Sequence, residues 1–229
     1  MLPLQTFPTR DALYAAAAER IAEALRAGVM ATGEGCAALS GGTTPEPAYA
    51  LLAAKNLDWP KLCFALADER FVAPDNPASN EAMLRRALRK PLEHGARITP
   101  MYSATSFENA AAAANTAYAG LTFNIAVMGM GADGHTASWF PGSPQLSQAL
   151  EPSNEKTVIA VEAPQAGGSA QRLTLTLSAL ARAERVLLLI TGVDKHMKLL
   201  EAVGGSAAST PVSALLESCA GKLDVMWAV

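Results

Sequence analysis

Phe123-Asn-Ile-Ala-Val-Met-Gly-Met-Gly-Ala-Asp-Gly-His-Thr-Ala-Ser-Trp-Phe-Pro-Gly142 joins a short apolar run to a glycine-rich turn, and the fold follows from that junction. The run from Phe123 to Met128 lacks regular alternation of apolar and polar residues, the pattern of a strand covered on both faces. The turn behind it, Gly129 to Gly142, carries Asp133 and His135, the latter one of three histidines in the chain. Open α/β sheets bind ligands beyond the carboxyl ends of their strands, where loops leave backbone exposed. An aspartate and a histidine placed there are candidates for chemistry. The plain alternative is a turn whose glycines satisfy geometry and whose histidine is solvated or capping.

Outward from this stretch, helices and strands alternate. Thr9 is placed to cap a helix running to about Ala27, with Leu13, Ala16, Ala17, Ile21, Ala24 and Leu25 at helical spacing and Gly28 near its end. Cys36 to Leu39 reads as a strand, Pro45 sits at a helix-opening position, and Leu62 to Ala67 is the next strand. Ser79 is an N-cap for a helix predicted over Asn80 to Arg89, Ile98 to Met101 reads as a short strand, and Phe107 to Ala119 as an alanine-rich helix. Beyond the turn, strands are predicted at Thr157 to Val161, Leu173 to Leu177, Val186 to Ile190 and Leu223 to Trp227. Helices are predicted near Ser178 to Ala183, Asp194 to Val203 and Val212 to Glu217. The economical arrangement is a three-layer αβα fold around a mostly parallel, Rossmann-like sheet. No repeat or low-complexity linker divides the chain, so residues 1–229 are expected to form one domain. Gly204 to Thr210, Gln145 to Glu155 and Ala163 to Ala170 read as loops, the last two placed to cover a ligand.

Composition narrows the function classes. Half the residues are hydrophobic and 17% are charged, which excludes a disordered chain. A net charge of -3 gives no electrostatic basis for binding nucleic acid, which calls for clustered Lys and Arg. No apolar stretch reaches the roughly 20 residues needed to cross a bilayer. Met1 to Arg10 lacks a charged start followed by an apolar core, so a soluble cytoplasmic protein is expected. Cys36, Cys63 and Cys219 are too few and too dispersed for a disulfide framework or a zinc site, and are expected to be small core residues.

Three further segments end apolar strands in ways that invite ligand chemistry. In Ser40-Gly41-Gly42-Thr43-Thr44-Pro45 the glycines let the backbone turn sharply and present N–H groups, the hydroxyls add donors, and the following helix N-terminus favours an anion. A phosphate is the natural candidate, and a glycine turn with a threonine cap is the plain alternative. No Gly-Lys-Ser/Thr closes the loop, so it is not a nucleotide P-loop. Asp68-Glu69-Arg70 follows a strand directly, with Asn76, Ser79 and Asn80 close behind as polar groups suited to a hydroxyl-rich ligand. Taken alone, that triplet reads equally as a solvated surface cluster. Lys195, in Thr191-Gly-Val-Asp-Lys195, lies in the first turn of a helix, where the dipole disfavours a cation unless an anion is bound nearby.

Taken in order, Ser40 to Pro45, Asp68 to Arg70 with Ser79-Asn80, Gly131 to Gly142, Arg172-Leu-Thr-Leu-Thr and Thr191 to Lys195 resemble the motifs of the 6-phosphogluconolactonase family over nearly the whole chain. The resemblance implies a fold of the sugar-phosphate isomerase and deaminase type. It also implies hydrolysis of 6-phospho-glucono-1,5-lactone to 6-phosphogluconate in the oxidative pentose phosphate pathway. No redox cofactor is implied, and no Gly-x-Gly-x-x-Gly enters a helix with an acidic residue after a second strand. Asp133 and His135 offer at most two ligands to an adventitious divalent ion, so no metal is expected.

Lactone hydrolysis needs a base for water and a positive or N–H group for the developing oxyanion. The resemblance makes His135 that base. It makes Arg70 a substrate-contacting cation near the carbonyl or the phosphate, and Asp68 a partner orienting the sugar, Arg70 or the histidine. Asp133 holds His135 or organises its turn, with Gly134 and Asn80 among the substrate contacts. Lys195, Arg172 and the amides of Gly41, Gly42, Thr43 and Thr44 form the phosphate end. The expected partner is a sugar phosphate lactone, with no nucleic acid and no membrane, and the chain acts as a monomer or homodimer. The competing family, glucosamine-6-phosphate deaminase, continues after the shared Asp-Gly-His with Asn-Glu-Pro, whose glutamate supports ring opening. Here Trp139, Phe140 and Pro141 stand in those places and the carboxylate is missing. A sugar-phosphate sensing domain is a third reading, but only one helix precedes the first apolar strand and no helix-turn-helix is evident.

Overall fold

A computed structural model describes residues 3–164 and 166–229. Gln165, in the expected loop Ala163 to Ala170, and Met1 and Leu2 lie outside the described residues. The chain opens with β1 (Leu4–Phe7), α1 (Arg10–Thr32), β2 (Gly35–Leu39), α2 (Glu46–Ala53), β3 (Leu62–Leu66) and β4 (Asp68–Arg70). It continues through α3 (Asn80–Ala87), α4 (Arg89–Glu93), β5 (Arg97–Thr99), α5 (Phe107–Ala119) and β6 (Ile125–Gly129). The remainder comprises α6 (Leu146–Leu150), β7 (Val158–Glu162), β8 (Gln171–Leu175), α7 (Leu177–Arg182), β9 (Val186–Thr191), α8 (Val193–Ala202), α9 (Val212–Ser218) and β10 (Leu223–Ala228).

Local chemistry explains several of these boundaries. Thr9 Oγ1 accepts the Ala12 N–H at 3.2 Å and starts α1, which runs past the expected end at Ala27 to Thr32. There the Gly33 N–H closes the helix onto the Val29 carbonyl. The helix expected over Asn80 to Arg89 is instead two, α3 and α4, broken at Leu88. Pro91 has no N–H to offer the Ala87 carbonyl and its ring crowds that position, so one continuous helix is excluded. Thr176 caps α7, which therefore begins at Leu177, a residue the strand expected over Leu173 to Leu177 had claimed. Leu146–Leu150 is helical, where the sequence reads as loop.

The central sheet has seven parallel strands in the order β1-β10-β9-β6-β2-β3-β5. The middle strands β2, β3 and β9 are buried almost throughout, as their unbroken apolar runs require. Helices α1 to α4 pack together, with α1 on β2 and β10, and a second group joins α6 to α9. The sheet is thus flanked by helices. β7 and β8 leave the central sheet and form a separate antiparallel sheet with β4, order β4-β8-β7. No helix among the described residues is long and apolar enough to cross a membrane.

Candidate active site

The strand order reverses direction between β2 and β6. From β2 the chain proceeds to β3 and β5 on one side; from β6 it proceeds to β9 and β10 on the other. Loops leaving the carboxyl ends of two such neighbours diverge and open a crevice. A cleft of about 250 Å³ lies there, lined by the loops after β2 and β6, by β4 and β8, by the start of α3, and by Lys195 in α8.

The turn after β6 builds the histidine's surroundings. Nδ1 of His135 lies 2.5 Å from Oδ1 of Asp133, which also accepts the His135 backbone N–H at 3.1 Å. A carboxylate only accepts hydrogen bonds, so Nδ1 carries the hydrogen and Nε2 is left as the basic nitrogen. Burial acts to raise the Asp133 carboxyl, but the hydrogen bond and charge of His135 outweigh it and hold that carboxyl below its ordinary value. Gly131 must be glycine: a Cβ there would sit 2.2 Å from the His135 ring. Phe140 stacks on the imidazole, ring centroids 4.2 Å apart, and Trp139 is buried with its indole N–H donated to the Leu175 carbonyl at 2.8 Å. The residues after the histidine therefore supply packing and no carboxylate. Ala137, at the cleft wall, holds φ at 48°, a backbone strain of the kind that collects at functional sites.

Opposite, β4 pairs with β8 so that Arg70 faces Arg172 directly across the ladder. Like charges in register repel. Neither guanidinium is neutralised by an ion pair among the described residues. Arg70 donates to the Ala78 carbonyl at 2.6 Å, and its Nε is buried without a partner. Arg172 donates to the carbonyls of Ser169 and Gly167 at 2.8 and 2.6 Å, and its guanidinium lies 5.4 Å from the Phe140 ring centre. Burial pulls the Arg172 guanidinium down, aided by Arg70 and opposed by Asp68 and Glu69. Asp68 is buried, accepting from Ser138 Oγ at 2.5 Å and from Asn80 Nδ2 at 3.2 Å. Glu69 points away from the cleft and accepts four hydrogen bonds, from the backbone of Arg70, Asn80 and Glu81 and from Ser79 Oγ. Burial pushes its carboxyl up against those donors.

The loop after β2 closes the third side. Tyr49 donates its hydroxyl to the Ser40 carbonyl at 3.0 Å, fixing the strand end, and Ser40 Oγ is buried without a partner. Gly41 passes so close to Asn80 that a Cβ would lie 1.9 Å from its amide oxygen. Thr44 Oγ1 reaches Thr191 Oγ1 at 3.5 Å, tying this loop to the end of β9. One turn further on, Lys195 enters the cleft, and burial alone lowers its ammonium.

Of the residues singled out from sequence, Asp68, Arg70, Asn80, His135, Arg172, Lys195 and Gly41 to Thr44 converge on the cleft. Asp133 and Gly134 do not line it. Asp133 stands behind the imidazole, and Gly134 packs against Thr210 with its carbonyl accepting the Val212 N–H. Asn76 and Ser79 also turn elsewhere: Asn76 caps Ala78 at the exposed loop, and Ser79 caps α3 and binds Glu69. Nothing in the sequence singles out Ser138, whose partner Asp68 is 70 positions away. Among the described residues no three His, Cys, Asp or Glu side chains group as a metal site.

Known proteins share the sequence and the fold of this chain. Residues 8–227 match the family described as Glucosamine-6-phosphate isomerases/6-phosphogluconolactonase. A 6-phosphogluconolactonase from Rhizobium meliloti is 39% identical over 229 residues, spanning 98% of this chain and 98% of its own. One from Caulobacter vibrioides is 36% identical, spanning 99% and 97%. The crystal structure of a 6-phosphogluconolactonase from Shewanella baltica superposes with a TM-score of 0.93 at 31% identity, covering 100% of this chain and 98% of that one. With its motifs assembled around one cleft and its length matched end to end, the chain belongs to the glucosamine-6-phosphate isomerase/6-phosphogluconolactonase family.

Proposed function

We propose that this chain, acting as one catalytic domain, hydrolyses 6-phospho-D-glucono-1,5-lactone to 6-phospho-D-gluconate in the oxidative pentose phosphate pathway. The observation that carries the reading is an Asp133-held imidazole facing a cleft whose three cations form no ion pair among the described residues. Nε2 of His135 takes a proton from water as its oxygen attacks the lactone carbonyl. The tetrahedral oxyanion is stabilised by a guanidinium, and the ring oxygen leaves with the proton that Nε2 returns. Asp68, fixed by Ser138 and Asn80, orients the sugar and the guanidinium beside it. Lys195, Arg172 and the amides of Gly41 to Thr44 hold the phosphate, so binding energy far from the scissile bond positions the carbonyl. The packing of Phe140 on His135, in place of a carboxylate, favours lactone hydrolysis over deamination. Ester hydrolysis is redox-neutral, and the mechanism draws on no cofactor. The enzyme acts in the cytoplasm as a monomer or homodimer.

The test generates the lactone in situ and follows its loss above the spontaneous rate, with glucosamine 6-phosphate as the control substrate. Accelerated lactone loss without deamination is expected, and His135→Asn lowers turnover by about 10²–10⁴-fold. Absence of acceleration, or release of ammonia from the control, defeats the assignment. Unchanged turnover in His135→Asn removes the histidine as base.

A further inference from the structure

At the other end of the sheet, parallel pairing sets Cys36 of β2 directly opposite Cys63 of β3, both buried and both free thiols. Neighbouring strands lie about 4.7–4.9 Å apart, inside the roughly 4.4–6.8 Å range of Cα separations that a disulfide spans. The parallel register puts both thiols on the same face of the sheet, and Cys63 Sγ lies 3.3 Å from Thr99 Oγ1 on β5. Both line a cavity of about 380 Å³ at the amino-terminal ends of these strands. Arg97, opposite Cys63 in register, and Glu34 also line it, joined at 3.3 Å, and their exposed side chains mark where it meets solvent. Cys219 has no such company: its thiol faces the Leu180 carbonyl.

We propose that Cys36 and Cys63 form a peroxide-oxidisable dithiol site that closes to a disulfide. The neighbouring Cys36 thiol, against the effect of burial and with help from Thr99 and Arg97, pulls the Cys63 thiol down to about 6. The same proximity pushes Cys36 up, which makes Cys63 the more acidic thiol and the attacking one in the proposed step. Cys63 sulfur attacks one oxygen of a hydroperoxide. The S–O bond forms, the O–O bond breaks, and the released hydroxide takes a proton to become water. Cys36 sulfur then attacks the sulfenic sulfur. The S–S bond forms, the S–O bond breaks, and a second water leaves with the proton from Cys36. Two electrons pass from the sulfurs to the peroxide, and a dithiol reductant reverses the closure. The link would staple the strands that carry Ser40 and Asp68 at their far ends.

The folded chain is treated with hydrogen peroxide, its remaining thiols are alkylated after denaturation, and the product is weighed and peptide-mapped. The expected product has lost the mass of two hydrogens before alkylation, links the Cys36 and Cys63 peptides, leaves Cys219 alkylated, and reverts with dithiothreitol. In Cys36→Ser the reaction stops at a Cys63 sulfenic acid that dimedone traps. Wild-type protein that loses one thiol without a link, oxidises Cys219 first, or keeps both Cys36 and Cys63 free overturns the proposal. None of these readouts depends on the lactone reaction.

Discussion

The 2.5 Å contact from Asp133 to the Nδ1 side of His135 fixes the imidazole's tautomer as well as its direction. Asp133→Asn preserves the shape but presents an amide that donates as readily as it accepts, so Nε2 is no longer reliably the free base. Turnover of the lactone is expected to fall about 10²–10⁴-fold while KM changes little, because Asp133 stands outside the cleft. A large rise in KM with turnover intact would show that Asp133 touches substrate. The pair also leaves a mark on stability. A carboxylate with a lowered folded pKa contributes stability above its unfolded value, near ~3.9, and loses it as pH falls through the folded value. The advantage of wild type over Asp133→Asn in urea midpoint should therefore shrink as pH drops below about 4. Asp133 and His135 are legible in sequence because two positions in one glycine turn must meet. The contact between Ser138 and Asp68 is not, since only the docking of the β6 turn on β4 brings them within reach.

Among the elements, β4 is the least legible and the most consequential. Asp68-Glu-Arg70 has none of the β-branched or aromatic character of a strand, and it becomes one only by pairing with Arg172-Leu-Thr174 of β8. β1 is hidden for a related reason: two exposed and two half-exposed residues make an edge strand whose partner, β10, lies at the opposite end of the chain. The long apolar runs of β2, β3, β6 and β9 are legible because burial on both faces writes itself into composition. What holds β4 in place is Glu69, whose oxygens accept from β4 itself and from the first turn of α3. All four partners are donors. Glu69→Gln turns an NH₂ group toward two of them, leaving buried donors unpaired at about 1–3 kcal/mol. The urea midpoint should fall accordingly, and because Arg70 and Asn80 flank that anchor, KM for the lactone should rise. Unchanged stability would mean that β4 is held by its pairing with β8 alone.

Over the whole molecule, the cleft's position follows from topology and its charge from long-range pairing. Loops from both sides of the β2/β6 switch point meet there, while the chain's net charge of -3 gives no hint that three cations converge on one cleft. Arg70 and Arg172 are forced into register by the β4-β8 ladder, and Lys195 is desolvated by burial. In the free protein this concentration of like charge opposes folding, and a bound phosphate would relieve it. The native state alone assembles the site, so a phosphorylated product stabilises it by mass action. At a concentration about 100-fold above its Kd, 6-phosphogluconate should raise the unfolding free energy by about 2.7 kcal/mol. Gluconate, at the same concentration, should produce far less, and Lys195→Ala should remove most of the difference between the two ligands. Added salt should weaken the effect by screening the cations. Thermal or urea unfolding with each ligand reads all of this directly. Equal stabilisation by gluconate and 6-phosphogluconate would mean that the cations face the sugar hydroxyls and the carboxylate, and that the phosphate end lies elsewhere.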